Sequence, residues 1–231
     1  LASEGRLREG IRYGNGAREA LDLFLPEGTP EGLMVFVHGG YWMAFGRSDW
    51  SHLARGAVES GWAVALPSYD LCPDIRISGI TRQIAAAVTV AADEVAGPIR
   101  LAGHSAGGHL VARMPAPGVL PGEVAARIAH VMPISPLSDL RPLMQTGMNA
   151  KLGLDEDEAR AESPVAMAPP ACPVTVWVGG DERPVFLEQA RWLSEAWGCG
   201  LVIEEGRHHF DVVDGLETPD SEMTRTLLHK A

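Results

Sequence analysis

The 231-residue chain is short of three things, and each shortage excludes a class of protein. It has only three cysteines, Cys72, Cys172 and Cys199, odd in number and far apart. That count leaves no disulfide framework and no zinc-ligand spacing, and it predicts buried free thiols in a reducing, cytoplasmic setting. No apolar run reaches the roughly 18 residues of a membrane-spanning helix. The first residues, Leu1-Ala2-Ser3-Glu4-Gly5-Arg6, hold no apolar leader. The chain starts without Met, so a processed chain or a piece of a longer one is expected. Positive charge is also scarce, with 19 Lys and Arg against 30 Asp and Glu, a formal charge of −11. A surface of that sign repels phosphates, which argues against a nucleic-acid partner. Neither H-E-x-x-H nor a dense His/Asp cluster occurs, so no metal is expected. With 46% hydrophobic residues, the composition is that of one globular domain with a sizeable core.

What is present is organised around Gly103-His104-Ser105-Ala106-Gly107. G-x-S-x-G is the pattern of a nucleophile elbow, in which a serine stands on a sharp turn between strand and helix. Its hydroxyl is then exposed, and the next backbone N–H points at a developing oxyanion. The flanks fit: Pro98 to Ala102 reads as a short buried strand, and Ala106 to Met114 as a helix. Upstream, the continuous apolar run Gly32 to Val37 marks a strand buried on both faces, and it ends in His38-Gly39-Gly40-Tyr41-Trp42. Two glycines at the end of a central strand let backbone N–H groups approach a ligand, as in an oxyanion loop. In this reading His38 is a structural hydrogen-bonding residue.

The remaining chain alternates strands and helices. Further strands are expected over Ala20 to Leu25 (one face wet), Gly61 to Leu66, His130 to Pro136, Pro173 to Val178 and Gly200 to Glu205. Helices are expected from Asp49, capped by Ser48 or Asp49, and over Ile80 to Val95, Val185 to Trp197 and within Leu216 to Ala231. Arg6 to Gly16 reads as an edge hairpin or lead-in. The stretch of about 139–167 has no strand pattern and is expected as a small cap over the site, with Asp155 to Glu158 as the acidic first turn of a helix. Alternation of this kind implies a mostly parallel sheet with helices on both faces, and a ligand site beyond the carboxyl ends of its strands.

Serine needs a base, and the base needs a carboxylate to orient it. Asp181 and Glu182 follow one late strand, and His208 and His209 follow the last. The residues themselves leave both choices open. Their order, serine then acid then histidine, is the order of α/β-hydrolases.

His38 to Trp42, Gly103 to His109 and His209-Phe210-Asp211-Val212-Val213 together resemble the kynurenine formamidase (arylformamidase) branch of the α/β-hydrolases, over most of the chain from about Leu21 onward. The resemblance implies an α/β-hydrolase fold and hydrolysis of the N-formyl group of formylkynurenine in tryptophan breakdown. It also implies a carboxylate followed by Phe four residues on and Gln seven on. Glu182, Phe186 and Gln189 match that spacing, which favours Glu182 as acid with Asp181 as the alternative. The histidine before Phe matches His209. Ser105, Glu182 and His209 are thus the implied catalytic residues, with Gly39, Gly40 and Ala106 forming the oxyanion hole and Tyr41 and Trp42 walling a substrate pocket. No cofactor, nucleic acid or membrane is implied. The partner is a small-molecule substrate, and a homodimer is compatible with the reading. Bacterial relatives in this branch include general carboxylesterases, so a carboxylesterase is the alternative activity.

Overall fold

The computed structural model describes residues 5–228. Residues 1–4, which belong to the segment read as free of an apolar leader, and 229–231, at the end of the expected closing helix, lie outside the described residues.

One eight-stranded sheet carries the fold. Its strands are β1 (Leu7–Arg12), β2 (Ala20–Phe24), β3 (Leu33–Val37), β4 (Ala63–Pro67), β5 (Ile99–His104), β6 (Ile128–Ile134), β7 (Thr175–Gly179) and β8 (Gly200–Glu204). The order across the sheet is β1-β2-β4-β3-β5-β6-β7-β8, with β2 antiparallel to both neighbours and the pairings from β4 to β8 parallel. The helices are α1 (Arg55–Glu59), α2 (Ile77–Glu94), α3 (Ala106–Arg113), α4 (Gly122–Ala125), α5 (Asn149–Leu152), α6 (Glu156–Ala161), α7 (Pro184–Trp197) and α8 (Glu222–Leu228).

The two-residue period of the strands explains how apolar runs build two cores. On β3, Leu33, Val35 and Val37 enter the cluster shared with α2, α3 and α7, while Met34 and Phe36 enter the opposite cluster with α1 and α8. Both faces are covered, so the run carries no polar alternation. Each fully buried aliphatic or Phe side chain contributes roughly 1.5–3 kcal/mol relative to exposure.

Three expectations are corrected. β2 has no wet face. All five of its residues are buried, because Asp22 accepts from the Gly10 N–H at 2.8 Å and pairs with Arg47 at 2.7 Å, which lets a charge sit inside. The helix expected from Asp49 is a 3-10 segment, Arg47–Ala54, that runs into α1; Gly46 occupies its cap position, and the Asp49 carboxylate accepts the Gly46 N–H at 2.9 Å. Of the cysteines, all free, only Cys72 is buried; Cys172 and Cys199 are half-buried.

The 139–167 stretch forms a 3-10 turn (Arg141–Gln145), α5, α6 and a second 3-10 turn (Pro164–Ala166). Asp155 caps α6 by accepting the Glu158 N–H, and the acidic first turn suits the positive end of that helix. The segment docks sideways on α2 and α3. Glu158 pairs with Arg76, and Glu162 accepts from Thr81 at 2.7 Å and pairs with Arg113 at 3.0 Å.

Candidate active site

The elbow follows directly from its glycines. Ser105 sits at φ 57°, ψ −115°, between β5 and α3, a conformation that L-residues adopt only when the surroundings impose it. A Cβ on Gly107 would lie 1.9 Å from the Val37 carbonyl oxygen, so α3 can lie this close to β3 only with glycine at that position. Ser105 N–H donates to Ile134 O at 2.8 Å and ties the turn to β6. Ala106 is the first residue of α3, so its N–H has no partner inside the helix.

The loop after β3 lies against this elbow. A Cβ on Gly39 would come within 3.0 Å of the Ser105 Cβ and 2.9 Å of the His104 carbonyl oxygen. Gly40 has φ 105°. The fully buried Tyr69 holds the loop from behind, its hydroxyl donating to His38 O at 2.9 Å and lying 3.3 Å from Gly39 O. In a trans peptide the N–H points opposite to the C=O. Anchoring these two carbonyls on Tyr69 therefore turns the Gly39 and Gly40 N–H groups away from it. His38 is buried, stacks on Tyr69 at 4.3 Å and donates from Nδ1 to Gly39 O at 2.7 Å; burial lowers its pKa to about 4. It is a neutral structural residue.

On the far side of the elbow, His209 Nδ1 and Glu182 Oε2 are 2.6 Å apart. The other carboxylate oxygen of Glu182 accepts the Gly179 N–H at 2.9 Å and the Ser135 hydroxyl. Burial alone would raise the Glu182 pKa, but the hydrogen bonds from His209, Ser135 and Gly179 outweigh it and hold the carboxyl below its usual range. His209 is further fixed by Phe186, stacked on it at 4.0 Å, and by His104, whose Nε2 donates to the His209 carbonyl at 2.8 Å. Burial lowers the His104 pKa to about 3, so that ring is neutral.

These parts surround one cavity of about 470 Å³, lined by Ser105, His104, His209 and Gly40 and walled by Tyr41, Met43, Ala44, Phe45, Trp50, Arg183, Phe186 and Phe210. Backbone strain collects around it. Among the described residues the non-glycine positions with positive φ are Tyr41, Trp42, Phe45, Ser105 and Ser135. All belong to the turns after β3, β5 and β6, the carboxyl ends where an open sheet binds ligands. A larger hollow of about 730 Å³ lies on the surface between Arg6, Glu27, His52, Arg55 and Glu217, away from the elbow.

The structure separates residues that adjacency in the chain had left together. Glu182 is buried against His209, whereas Asp181 is exposed and makes its backbone bond to Arg207. His208 points outward beside Asp211, its side chain 59% exposed. Trp42 is a correction: it is fully buried, packs edge-on against His109 at 5.2 Å and does not line the cavity, so only Tyr41 of the expected pair walls it. The 139–167 segment is a second correction, because none of its residues lines the cavity. Gln189 serves that segment instead, its Oε1 accepting the N–H groups of Ser138 and Asp139 at 2.7 Å. Sequence reasoning missed Tyr69, Ser135, Trp50 and Arg183. They lie on four separate segments and belong to no local pattern.

Among the described residues no group of three or more His, Cys, Asp and Glu is placed to hold a metal, and no helix is long and apolar enough to cross a membrane.

Residues 34–166 match a family model described as the alpha/beta hydrolase fold. Kynurenine formamidase of Salmo salar is 27% identical over 236 residues, covering 94% of this chain and 80% of the relative. The Drosophila melanogaster kynurenine formamidase is 28% identical over 240 residues, covering 94% and 79%. A crystal structure from a Silicibacter species, provisionally described as a thioesterase, is 60% identical with a TM-score of 0.97, covering 99% of this chain and 87% of its own. Esterase 2 of Thermogutta terrifontis shares the fold at 19% identity, with a TM-score of 0.71 and coverages of 89% and 85%. By sequence and by architecture, the chain belongs to the alpha/beta-hydrolase family and is an enzyme of its kynurenine formamidase-like, hydrolytic kind.

Proposed function

We propose that this hydrolase cleaves the formyl amide of an aromatic amine, N-formylkynurenine or a close analogue, by acyl transfer through Ser105, His209 and Glu182. The observation that carries the reading is the 2.6 Å contact between His209 and the buried Glu182, in the same cavity wall as Ser105 and beneath aromatic side chains sized for an aryl group. The two formamidase relatives supply the substrate class.

The chemistry follows from the groups present. Ser105 Oγ attacks the formyl carbon while His209 Nε2 takes its proton, and Glu182 stabilises the imidazolium through Nδ1–H. The carbonyl oxygen becomes an oxyanion within reach of the Gly40 and Ala106 N–H groups, with Gly39 beside them. Each such donor typically lowers the barrier by about 3 kcal/mol. Collapse breaks the C–N bond, and His209 returns its proton to the departing arylamine nitrogen. Water, activated by the same histidine, then attacks the formyl ester on Ser105, releasing formate and restoring the serine. Side chains, backbone amides and water account for every proton and bond.

The test is kcat/KM on N-formylkynurenine beside p-nitrophenyl acetate and S-phenyl thioacetate, with Ser105→Ala as control. A large preference for the formamide, lost in the variant, supports the reading and a place in tryptophan breakdown. Turnover of the ester or thioester alone selects the second reading, a carboxylesterase or thioesterase. The provisional description of the 60% identical Silicibacter protein favours that alternative.

A further inference from the structure

Apart from Ser105, His104 and His209, the cavity wall is aromatic, aliphatic or glycine except at one point. Among the described lining residues, Arg183 is the only permanently charged one: His104 is neutral, and no Asp, Glu or Lys contributes. Several other arginines at or beneath the surface are matched to carboxylates, as in Arg47–Asp22, Arg76–Glu158, Arg113–Glu162 and Arg141–Asp139, and Arg18 and Arg127 donate to backbone carbonyls. The Arg183 guanidinium has no hydrogen-bond or ion-pair partner among the described residues, although exposed Asp181 is two positions away in sequence. It is exposed at the cavity, where Phe210 and Phe45 are also left 75% and 51% exposed.

We infer that Arg183 selects substrates bearing a carboxylate on the aromatic leaving group. The inference rests on the acyl-transfer reading above. A planar guanidinium presents a fork of donors that a carboxylate accepts in pairs, and the apolar wall around it weakens competition from water. The net charge of −11 would otherwise disfavour anions approaching the protein, so one unmatched cation at the entrance gives the site a local preference opposite to that of the molecule. Ser105 and the oxyanion groups hold the reacting carbonyl, the rings of Phe186, Phe210 and Tyr41 take the aryl plane, and Arg183 takes the charge attached to it.

The experiment uses matched pairs that differ by one carboxylate: formanilide with 2-formamidobenzoate, and phenyl acetate with 4-acetoxybenzoate. The quantity read is the ratio of kcat/KM for the charged over the uncharged member. In the unaltered protein this ratio exceeds one and falls with added salt. Arg183→Met lowers it by about 10- to 100-fold, mainly through the KM of the charged member, and Arg183→Lys restores part of it. A ratio that Arg183→Met leaves unchanged in whichever pair is hydrolysed overturns the inference. If only the esters are hydrolysed and their ratio still collapses in Arg183→Met, the charge selection stands and the formamidase reading fails.

Discussion

Tyr69 and His38 are locked together twice: their rings stack at 4.3 Å, and the Tyr69 hydroxyl donates to the His38 carbonyl at 2.9 Å. Tyr69 stands just after β4 and His38 just after β3, so this pair sets the orientation of the peptide planes that face Ser105. Removing the hydroxyl alone, with Tyr69→Phe, frees the His38 carbonyl to rotate and leaves the Gly39 carbonyl held by His38 Nδ1 alone. The expected result is a fall in kcat of roughly 10-fold, less than the 10²–10³ of deleting an oxyanion donor outright, with KM nearly constant. Binding of a trifluoromethyl ketone, which forms an oxyanion on the serine, should weaken in parallel. A KM effect without a kcat effect would mean that Tyr69 shapes the pocket instead.

Glu182 and Asp181 are neighbours with opposite environments. Glu182→Gln keeps the shape but removes the charge that stabilises a cationic His209, so kcat should drop roughly 10²- to 10⁴-fold. Asp181→Asn, at an exposed position, should leave kcat unaltered. Steady-state kinetics on both variants, with thermal melts to verify folding, decide the assignment. Equal losses in the two would show that the carboxylates act through the net charge of the loop.

Gly107 is the tightest point of the elbow. Because a Cβ there would overlap the Val37 carbonyl at 1.9 Å, and that carbonyl belongs to the backbone, no side-chain rotation relieves the clash. Gly107→Ala should cost roughly 3 kcal/mol or more in a urea titration. A variant of near-normal stability would show that α3 can shift away from β3.

The buried histidines make stability depend on pH. Burial places His38 and His109 at about 4 and His104 at about 3, against an ordinary value of 6.5. The unfolded chain therefore binds more protons than the folded one once pH falls below about 6.5, and unfolding becomes easier from there down to pH 3–4. Melting temperatures should be flat from pH 8 to 7 and fall steadily below 6. His109→Gln should make that fall shallower, though it also disturbs the 2.8 Å contact to the Glu162 carbonyl. A melt independent of pH down to 5 would mean that these rings titrate normally.

Much of this protein is written locally. The apolar runs of β3, β4 and β5, the G-x-S-x-G turn and the alternation of strand and helix are patterns within a few residues of one another, and backbone sterics plus two-sided burial convert them directly into a sheet, an elbow and two cores. The resemblance carried by Glu182, Phe186, Gln189 and His209 extended that local reading to the far end of the chain. Tertiary structure alone decided three other matters. Trp42 turned into the core while adjacent Tyr41 faced the cavity, because two successive positive φ values redirect the loop. The 139–167 segment lay against α2 and α3, drawn there by the buried ion pair of Glu162 with Arg113 and by the pair of Glu158 with the half-exposed Arg76, and so left the cavity open. Tyr69, Ser135 and Arg183 reached the site or its supports from separate segments. Their placement depends on which strands lie side by side, and that order, β4-β3-β5-β6-β7, is set by packing of the whole sheet and by no interval in the sequence.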